Sequence, residues 1–205
     1  MGVFAFAKLG FTIFAYAKID VKYPMSILQM DSESIYKASK YLAQHDPILG
    51  KIIEENNYTF SLTPRSEYAE YVCAIIGQRV TLKAARASRQ RLYTLLSYDF
   101  SREDLEPYLT NLETLLKIDV NRATAIRNYH ENSGNVTPKG VGPWTRAIVE
   151  MKTNPNVLPP NDIALLNAVK KLYGMERRPT QAQLVEIAKK WEPYRSVACF
   201  WLWKI

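Results

Sequence analysis

Hydrophobic positions along most of the chain recur at spacings of three and four residues, the pattern of helices that bury one face. Residues 32–44 carry Ile35, Ala38, Tyr41 and Leu42 on such a face, with Asp31 or Ser32 placed to cap the first turn. His45-Asp46-Pro47 ends that run, because the residue ahead of a proline avoids helical backbone angles, and a short helix follows over residues 47–55. Thr63-Pro64 predicts a capped, proline-started helix over 65–77, and Thr81 caps the next, to about Leu96. Further helices are predicted over 101–110, 112–116, 120–131, 144–151, 162–173 and 180–191. Strand signals are confined to the first 24 residues. There Phe4-Ala-Phe-Ala-Lys8 is echoed by Phe14-Ala-Tyr-Ala-Lys18, and Gly10 sits between the halves as a turn residue. Lys8 interrupts this apolar run, which is too short to cross a membrane. Ala15-Tyr-Ala17 has the form of a signal-peptide cleavage site, but no positive side chain stands in the first seven residues. The preferred reading is a short hairpin or loosely packed strand; the alternative is that Met25 is the functional start and the leader is dispensable. The predicted fold class is therefore all-α, with roughly ten helices, short connections and the optional N-terminal β-hairpin.

With 47% hydrophobic and 23% charged residues, the 205-residue chain has globular composition, which excludes disorder, collagen and coiled coil. Cys73 and Cys199 stand alone in apolar surroundings, so a disulfide scaffold, a zinc ribbon and a four-cysteine iron–sulfur site are excluded, and a reduced, intracellular protein is the natural reading. Charge changes the picture more. There are 27 basic and 20 acidic residues, a formal +7, and the excess is local. Residues 76–98 hold Arg79, Lys83, Arg86, Arg89 and Arg91 with no acidic residue. From Lys139 onward, eleven Lys or Arg stand against five Asp or Glu, a net of +6. One basic face directed at a polyanion is the implication; scattered solvated lysines are the plainer alternative.

One connection departs from ordinary helix linkers: Pro138-Lys-Gly-Val-Gly-Pro-Trp-Thr145. Gly140 and Gly142 allow a sharp turn and close approach to another surface. The free amides at the start of the following helix suit a phosphate, and such a contact reads no base. An ordinary turn with two glycines is the competing reading.

Four stretches in order carry a resemblance. They are Tyr68-Ala-Glu-Tyr-Val-Cys-Ala-Ile-Ile-Gly-Gln-Arg-Val-Thr-Leu-Lys-Ala-Ala85, then Gly140-Val-Gly-Pro-Trp-Thr145, then Leu158-Pro-Pro-Asn-Asp-Ile-Ala-Leu165 continuing to Leu172-Tyr-Gly174, then Trp191-Glu-Pro-Tyr-Arg-Ser196 with its tail to Trp203. Together they make the chain, from about Ser32 onward, resemble the helix–hairpin–helix DNA glycosylases, in their alkylbase (3-methyladenine) branch. The resemblance implies a two-lobed helical fold over residues 25–205. Lobe one would take about 25–118 with the C-terminal helices, and lobe two about 119–175 with the hairpin at 138–145. It implies a monomer that acts on double-stranded DNA with damaged bases, without a cofactor, a metal or a membrane, inside the cell and at the chromosome. Chromosome here means the cytoplasm of a prokaryote or a nucleus.

The resemblance transfers the family's catalytic aspartate to Asp162. A carboxylate suits that role, because breaking an N-glycosidic bond builds positive charge on the sugar; from its position alone, Asp162 reads as a helix N-cap. Lyase members place a lysine two positions after the hairpin's last glycine. Here that position holds Trp144, which implies a monofunctional, water-using enzyme. Trp144 and Trp203 match pocket tryptophans and Tyr71 is a further wall, with core packing the alternative for each and Trp201 unassigned. Some relatives carry a tyrosine where Ile148 stands, which leaves the pocket less aromatic. DNA contacts are expected from Lys139, Gly140, Val141, Gly142 and Thr145 of the hairpin. Gln78 and Arg79 would form the wedge that fills the gap left by an extruded nucleotide, and Lys83 and Arg86 follow on the same stripe. A solvated basic helix face is the plainer reading of that stripe. Residues 118–140 are too few for the helices that relatives place ahead of the hairpin, so 120–131 should serve as its first helix, with a loose turn and weaker DNA binding. Excision of another damaged base (oxidised guanine, deaminated adenine, uracil) and a non-catalytic DNA-binding module are the alternatives.

Overall fold

Short polar side chains set where the helices begin. In the computed structural model, which describes residues 30–56, 62–132 and 138–205, Asp31 accepts the Ser34 amide at 2.7 Å and starts α1 (Ser32–His45). The expected N-terminal hairpin lies outside the described residues. Asp46 caps α2 (Pro47–Glu55), Thr81 caps α4 (Leu82–Leu95), Asp162 caps α9 (Ile163–Leu172) and Thr180 caps α10 (Gln181–Ala188). A Ser101–Asp104 capping box opens α5 (Arg102–Leu105), which runs through a 3-10 segment (Glu106–Asn111) into α6 (Leu112–Leu116). α7 (Val120–Asn132) and α8 (Pro143–Glu150) flank the glycine turn.

Two elements differ from expectation. α3 (Glu67–Ile76) is capped by Ser66, not Thr63, because Asp99 accepts both the amide and the hydroxyl hydrogen of Ser66, at 2.9 and 2.7 Å. The Thr63 carbonyl instead accepts from the Tyr98 hydroxyl. A final helix, α11 (Arg195–Leu202), was not foreseen. Among the described residues there is no strand.

The buried side chains form two clusters. The first joins α1, α2, α9, α10 and α11 with Met151 around the fully buried Trp191. The second joins α3 to α7 with Val141. The helices of residues 67–116 thus pack with α7 and the hairpin, not with the C-terminal helices, because the buried face of α3 (Ala69, Val72, Ile75, Ile76) lies against α7 and α8. α8 begins beside the second cluster and ends at the first, with Ile148 and Met151 on that side. Asp46 ties the first cluster internally. Its buried carboxylate accepts from Trp191 Nε1 at 2.8 Å and from the Tyr173 hydroxyl, and pairs with Lys190 at 3.1 Å.

Candidate active site and nucleic-acid face

The turn ahead of α8 is set by contact with α7. Gly140 has φ +96°, and a Cβ there would meet the Cβ of Ala125 at 2.4 Å and its Cα at 3.0 Å, so glycine is required twice over. Asn128 on α7 donates to the Lys139 carbonyl at 3.0 Å, and the Val141 amide closes the turn onto the Pro138 carbonyl. α7 does serve directly as the first helix, and residues 138–141 are held by these contacts, whereas residues 133–137, part of the linker for which a loose turn is expected, lie outside the described residues. Gly142 has a different character. Its φ is −85°, and a Cβ there would meet nothing within 4 Å. Open space, not conformation, distinguishes that position. Gly142 is the N-cap of α8, with Pro143 first in the helix, and no side chain caps it among the described residues. The helix therefore presents uncapped amides and the positive end of its dipole outward.

Several proposed contact residues turn out to build this turn. Val141 is 3% exposed and packs into the second cluster. Thr145 is 2% exposed, and its hydroxyl oxygen accepts from Gln78 Nε2 at 2.8 Å. The same Gln78 nitrogen donates to the Gly140 carbonyl at 2.8 Å. Gln78 is thus a tie between the α3–α4 turn and the hairpin, and its amide is engaged inside the protein. Lys139, Arg79, Lys83 and Arg86 are exposed. Arg79 has φ +55°, a left-handed backbone that costs about 1–2 kcal/mol for a non-glycine residue. The turn thereby lifts its side chain out at the tip beside the hairpin.

Asp162 lies under the hairpin helix. Asn161 before it has φ +53°, and Asp162 is 6% exposed. Its Oδ1 accepts the Leu165 amide at 2.6 Å and the Trp203 indole N–H at 3.3 Å; its Oδ2 accepts the Trp144 indole N–H at 2.8 Å. Three elements, α8, α9 and the end of α11, converge on this one carboxylate. All three donors are neutral, and no cation forms an ion pair with it among the described residues. Trp144 and Trp203 are both half-buried, and Trp203 also lies against Phe200 at 5.9 Å between ring centres. Tyr71 instead leans on Tyr129, 4.8 Å between ring centres, and burial pushes its hydroxyl pKa up. Trp201 is a core residue whose indole donates to Ser39 at 2.9 Å. Both cysteines are buried and free. No cluster of His, Cys, Asp and Glu suited to a metal occurs among the described residues.

No protein-family profile matches the chain. A 69-residue stretch is 36% identical to DNA-3-methyladenine glycosylase of Bacillus subtilis; it makes up 33% of this chain and 23% of that protein, so the chain aligns with about a quarter of that relative. Over 209 residues the chain is 23% identical to the alkylbase DNA glycosidase-like protein mag2 of Schizosaccharomyces pombe, covering 86% of this chain and 96% of the relative. Among solved structures, 3-methyladenine DNA glycosylase Mag1 of the same yeast, in complex with abasic DNA, superimposes with a TM-score of 0.70. That match has 19% identity over 82% of this chain and 95% of that one. The chain is thus similar to alkylbase and 3-methyladenine DNA glycosylases, in sequence over part of its length and in fold over most of it. Its fold is the all-α helix–hairpin–helix glycosylase fold. Within that fold, α7, the glycine turn and α8 are the hairpin, and Asp162 is the N-cap of α9.

Proposed function

We propose that this protein is a monofunctional DNA glycosylase that removes alkylated purines, of the 3-methyladenine type, from duplex DNA by extruding the nucleotide and hydrolysing its N-glycosidic bond. The observation that carries the proposal is the Asp162 carboxylate, held by two indole N–H groups beside the uncapped start of a hairpin helix. The names of the relatives supply the substrate class.

The chemistry follows from what surrounds Asp162. Departure of the base leaves positive charge on the sugar, and a fixed carboxylate opposes it. Neutral donors orient Asp162 without cancelling its charge. An ionised carboxylate offers about four acceptor sites; three are filled, and the fourth can take a proton from the attacking water. An alkylated purine is itself cationic, so it leaves without a partner acid, and the faces of Trp144 and Trp203 suit it through cation–π contact. The hairpin amides hold a phosphate without reading sequence, and Arg79, raised at its turn, enters the gap left by the extruded nucleotide. With tryptophan at position 144, water is the nucleophile and an abasic site is the product. DNA as substrate places the work at the chromosome, in a prokaryotic cytoplasm or a nucleus. No helix among the described residues is long and apolar enough to cross a membrane.

The test is incubation with duplexes that each contain one defined lesion, followed by alkali. Strand breaks at N-methylated purines are the expected result. Breaks only at uracil or oxidised guanine would move the substrate, and none with any lesion, despite DNA binding, would leave a binding module.

A further inference from the structure

Beyond Glu150, where α8 ends away from the hairpin, four cations gather around one cleft. It has a volume of about 420 Å³ and is lined by Arg65, Arg86, Arg89, Lys152, Tyr93 and Tyr98 among others. A smaller cavity of about 80 Å³ adjoins it between Arg65, Lys152 and Glu70, and among the described residues Glu70 is the one acidic side chain lining either space. α8 is eight residues long, so about 12 Å of helix separates this cleft from the hairpin turn.

The charges here do not balance. Arg65 accounts for Glu70. Its side chain is 10% exposed, its Nε stands 3.5 Å from the Glu70 carboxylate, and its Nη1 donates to Cys73 at 2.8 Å and to the Tyr93 hydroxyl at 2.5 Å. Its guanidinium lies 4.0 Å from the centre of the Tyr98 ring. The buried Nε itself has no hydrogen-bond partner. The side-chain charges of Arg86, Arg89 and Lys152 have neither an ion pair nor a hydrogen bond among the described residues. Burial pushes the Lys152 ammonium pKa down, and Arg65 and Arg89 push it the same way against Glu70. Like charges lining one cleft repel one another unless an anion sits between them. Guanidinium groups match the oxygens of a phosphoryl group two at a time, and an ammonium adds a point charge.

We propose that this cleft binds a phosphoryl group, either a backbone phosphate of a nucleic-acid strand running past the hairpin or a free phosphate or nucleotide. The site shares no residue with the Asp162 centre and stands whether or not the chain excises bases.

The first test melts the full chain in inorganic phosphate or pyrophosphate against chloride at matched ionic strength. At tenfold excess over Kd the midpoint should rise by about 3–6 °C. Arg89→Gln and Lys152→Met should each weaken the anion at least tenfold. In chloride, Lys152→Met should melt no lower than wild type, because a repelled cation has been removed. The second test measures binding of an undamaged duplex across a salt series. If the source is the strand, each variant weakens binding and lowers the slope of log K against log salt by about one. If the source is a free anion, duplex binding is unchanged and only the phosphate response is lost. The proposal is overturned if wild type does not respond to phosphate or pyrophosphate and duplex binding is the same in wild type and Arg89→Gln. Wild type and Arg89→Gln decide the matter even if Lys152→Met does not fold.

Discussion

Asp162→Asn replaces one oxygen by an NH2 group and removes one charge, and the partners of the carboxylate separate these two effects. Oδ1 accepts from Leu165 and Trp203, and Oδ2 accepts from Trp144. All three partners can only donate. Whichever way the amide turns, its NH2 faces a donor. The better orientation keeps the Leu165 cap and the Trp203 contact and sets NH2 against the Trp144 indole. An unpaired, half-buried N–H costs about 1–3 kcal/mol, which for a chain of this size lowers the melting midpoint by roughly 2–4 °C per kcal/mol. Loss of the charge should slow base release by about 10²–10³. The two effects come apart in a cycle with Trp144→Phe, which deletes the conflicting donor. In that background, Asp162→Asn should cost less than about 0.5 kcal/mol, a coupling of about 1–3 kcal/mol with Trp144. The slowing should stay at about 10²–10³, because the charge is still missing. Melting curves and single-turnover excision on all four proteins provide the check. Excision that recovers together with stability in the double variant would refute the charge argument. So would an Asp162→Asn rate within a few-fold of wild type, and Asp162 would then be a helix cap alone.

Gly142→Val should weaken binding to every duplex alike by about tenfold, with the helical spectrum intact, because the Cβ enters open space where a charge-assisted phosphate contact is expected. Gly140→Val should instead unseat the turn from Ala125 and lower the melting midpoint; equal binding by wild type and Gly142→Val would take the hairpin out of the DNA face. Asp46→Ala should cost about 3–5 kcal/mol in urea unfolding, since it leaves Lys190, Trp191 and Tyr173 without their shared acceptor, and a loss below 1 kcal/mol would contradict that. Burial pushes the Asp46 carboxyl up, but hydrogen bonds from Tyr173, Trp191 and Lys190 outweigh this and hold it below its ordinary 3.8. Its contribution is therefore complete above that value and lost as pH falls below it, and Asp46→Ala should be the less acid-sensitive protein below about pH 4. Borohydride added during turnover should trap no protein–DNA adduct, and a trapped adduct would mean a lysine attacks the sugar in spite of Trp144.

What the sequence made legible was local. The caps at Asp31, Thr81 and Asp162 each act on an amide three residues ahead, a distance that patterning can see. Ser66 was missed because its competitor, Asp99, is 33 residues away. α11 was missed because it is buried nearly all round, with Ser196, Val197, Ala198, Cys199, Trp201 and Leu202 all inside, so it has no polar stripe to mark its period. The glycine turn was readable, but the different roles of Gly140 and Gly142 depend on Ala125, a neighbour only in space. Gln78 was singled out from the motif as a DNA contact, and its two internal acceptors lie 62 and 67 residues away. Asp46 read only as a helix stop, although its acid group is the acceptor that Trp191, Tyr173 and Lys190 share. The cation cleft is not legible in the sequence, since Arg65, Arg89 and Lys152 meet only through folding. Trp144 and Trp203 came from the resemblance; no spacing in the chain would have brought two indoles to Asp162.

Trp144 belongs to both halves of the proposed chemistry. Its main chain lies in the uncapped first turn of α8, where a phosphate would sit, and its indole N–H holds Oδ2 of Asp162. Gln78 fixes that turn from the other side through Gly140 and Thr145. A strand seated on the hairpin is therefore placed relative to the carboxylate through one residue and one short helix, not through a chain of flexible loops. The choice of side chain matters for the same reason. A lysine at this position would set an ammonium against Asp162 and divide the carboxylate's charge between a resident cation and the reacting sugar. An indole N–H orients the carboxylate equally well and leaves its whole charge for the sugar. In the proposed chemistry a tryptophan at this position goes together with water as the nucleophile. A cationic leaving base fits the same logic, because it needs no acid beside Asp162 and gains from the indole face that the lysine would have displaced.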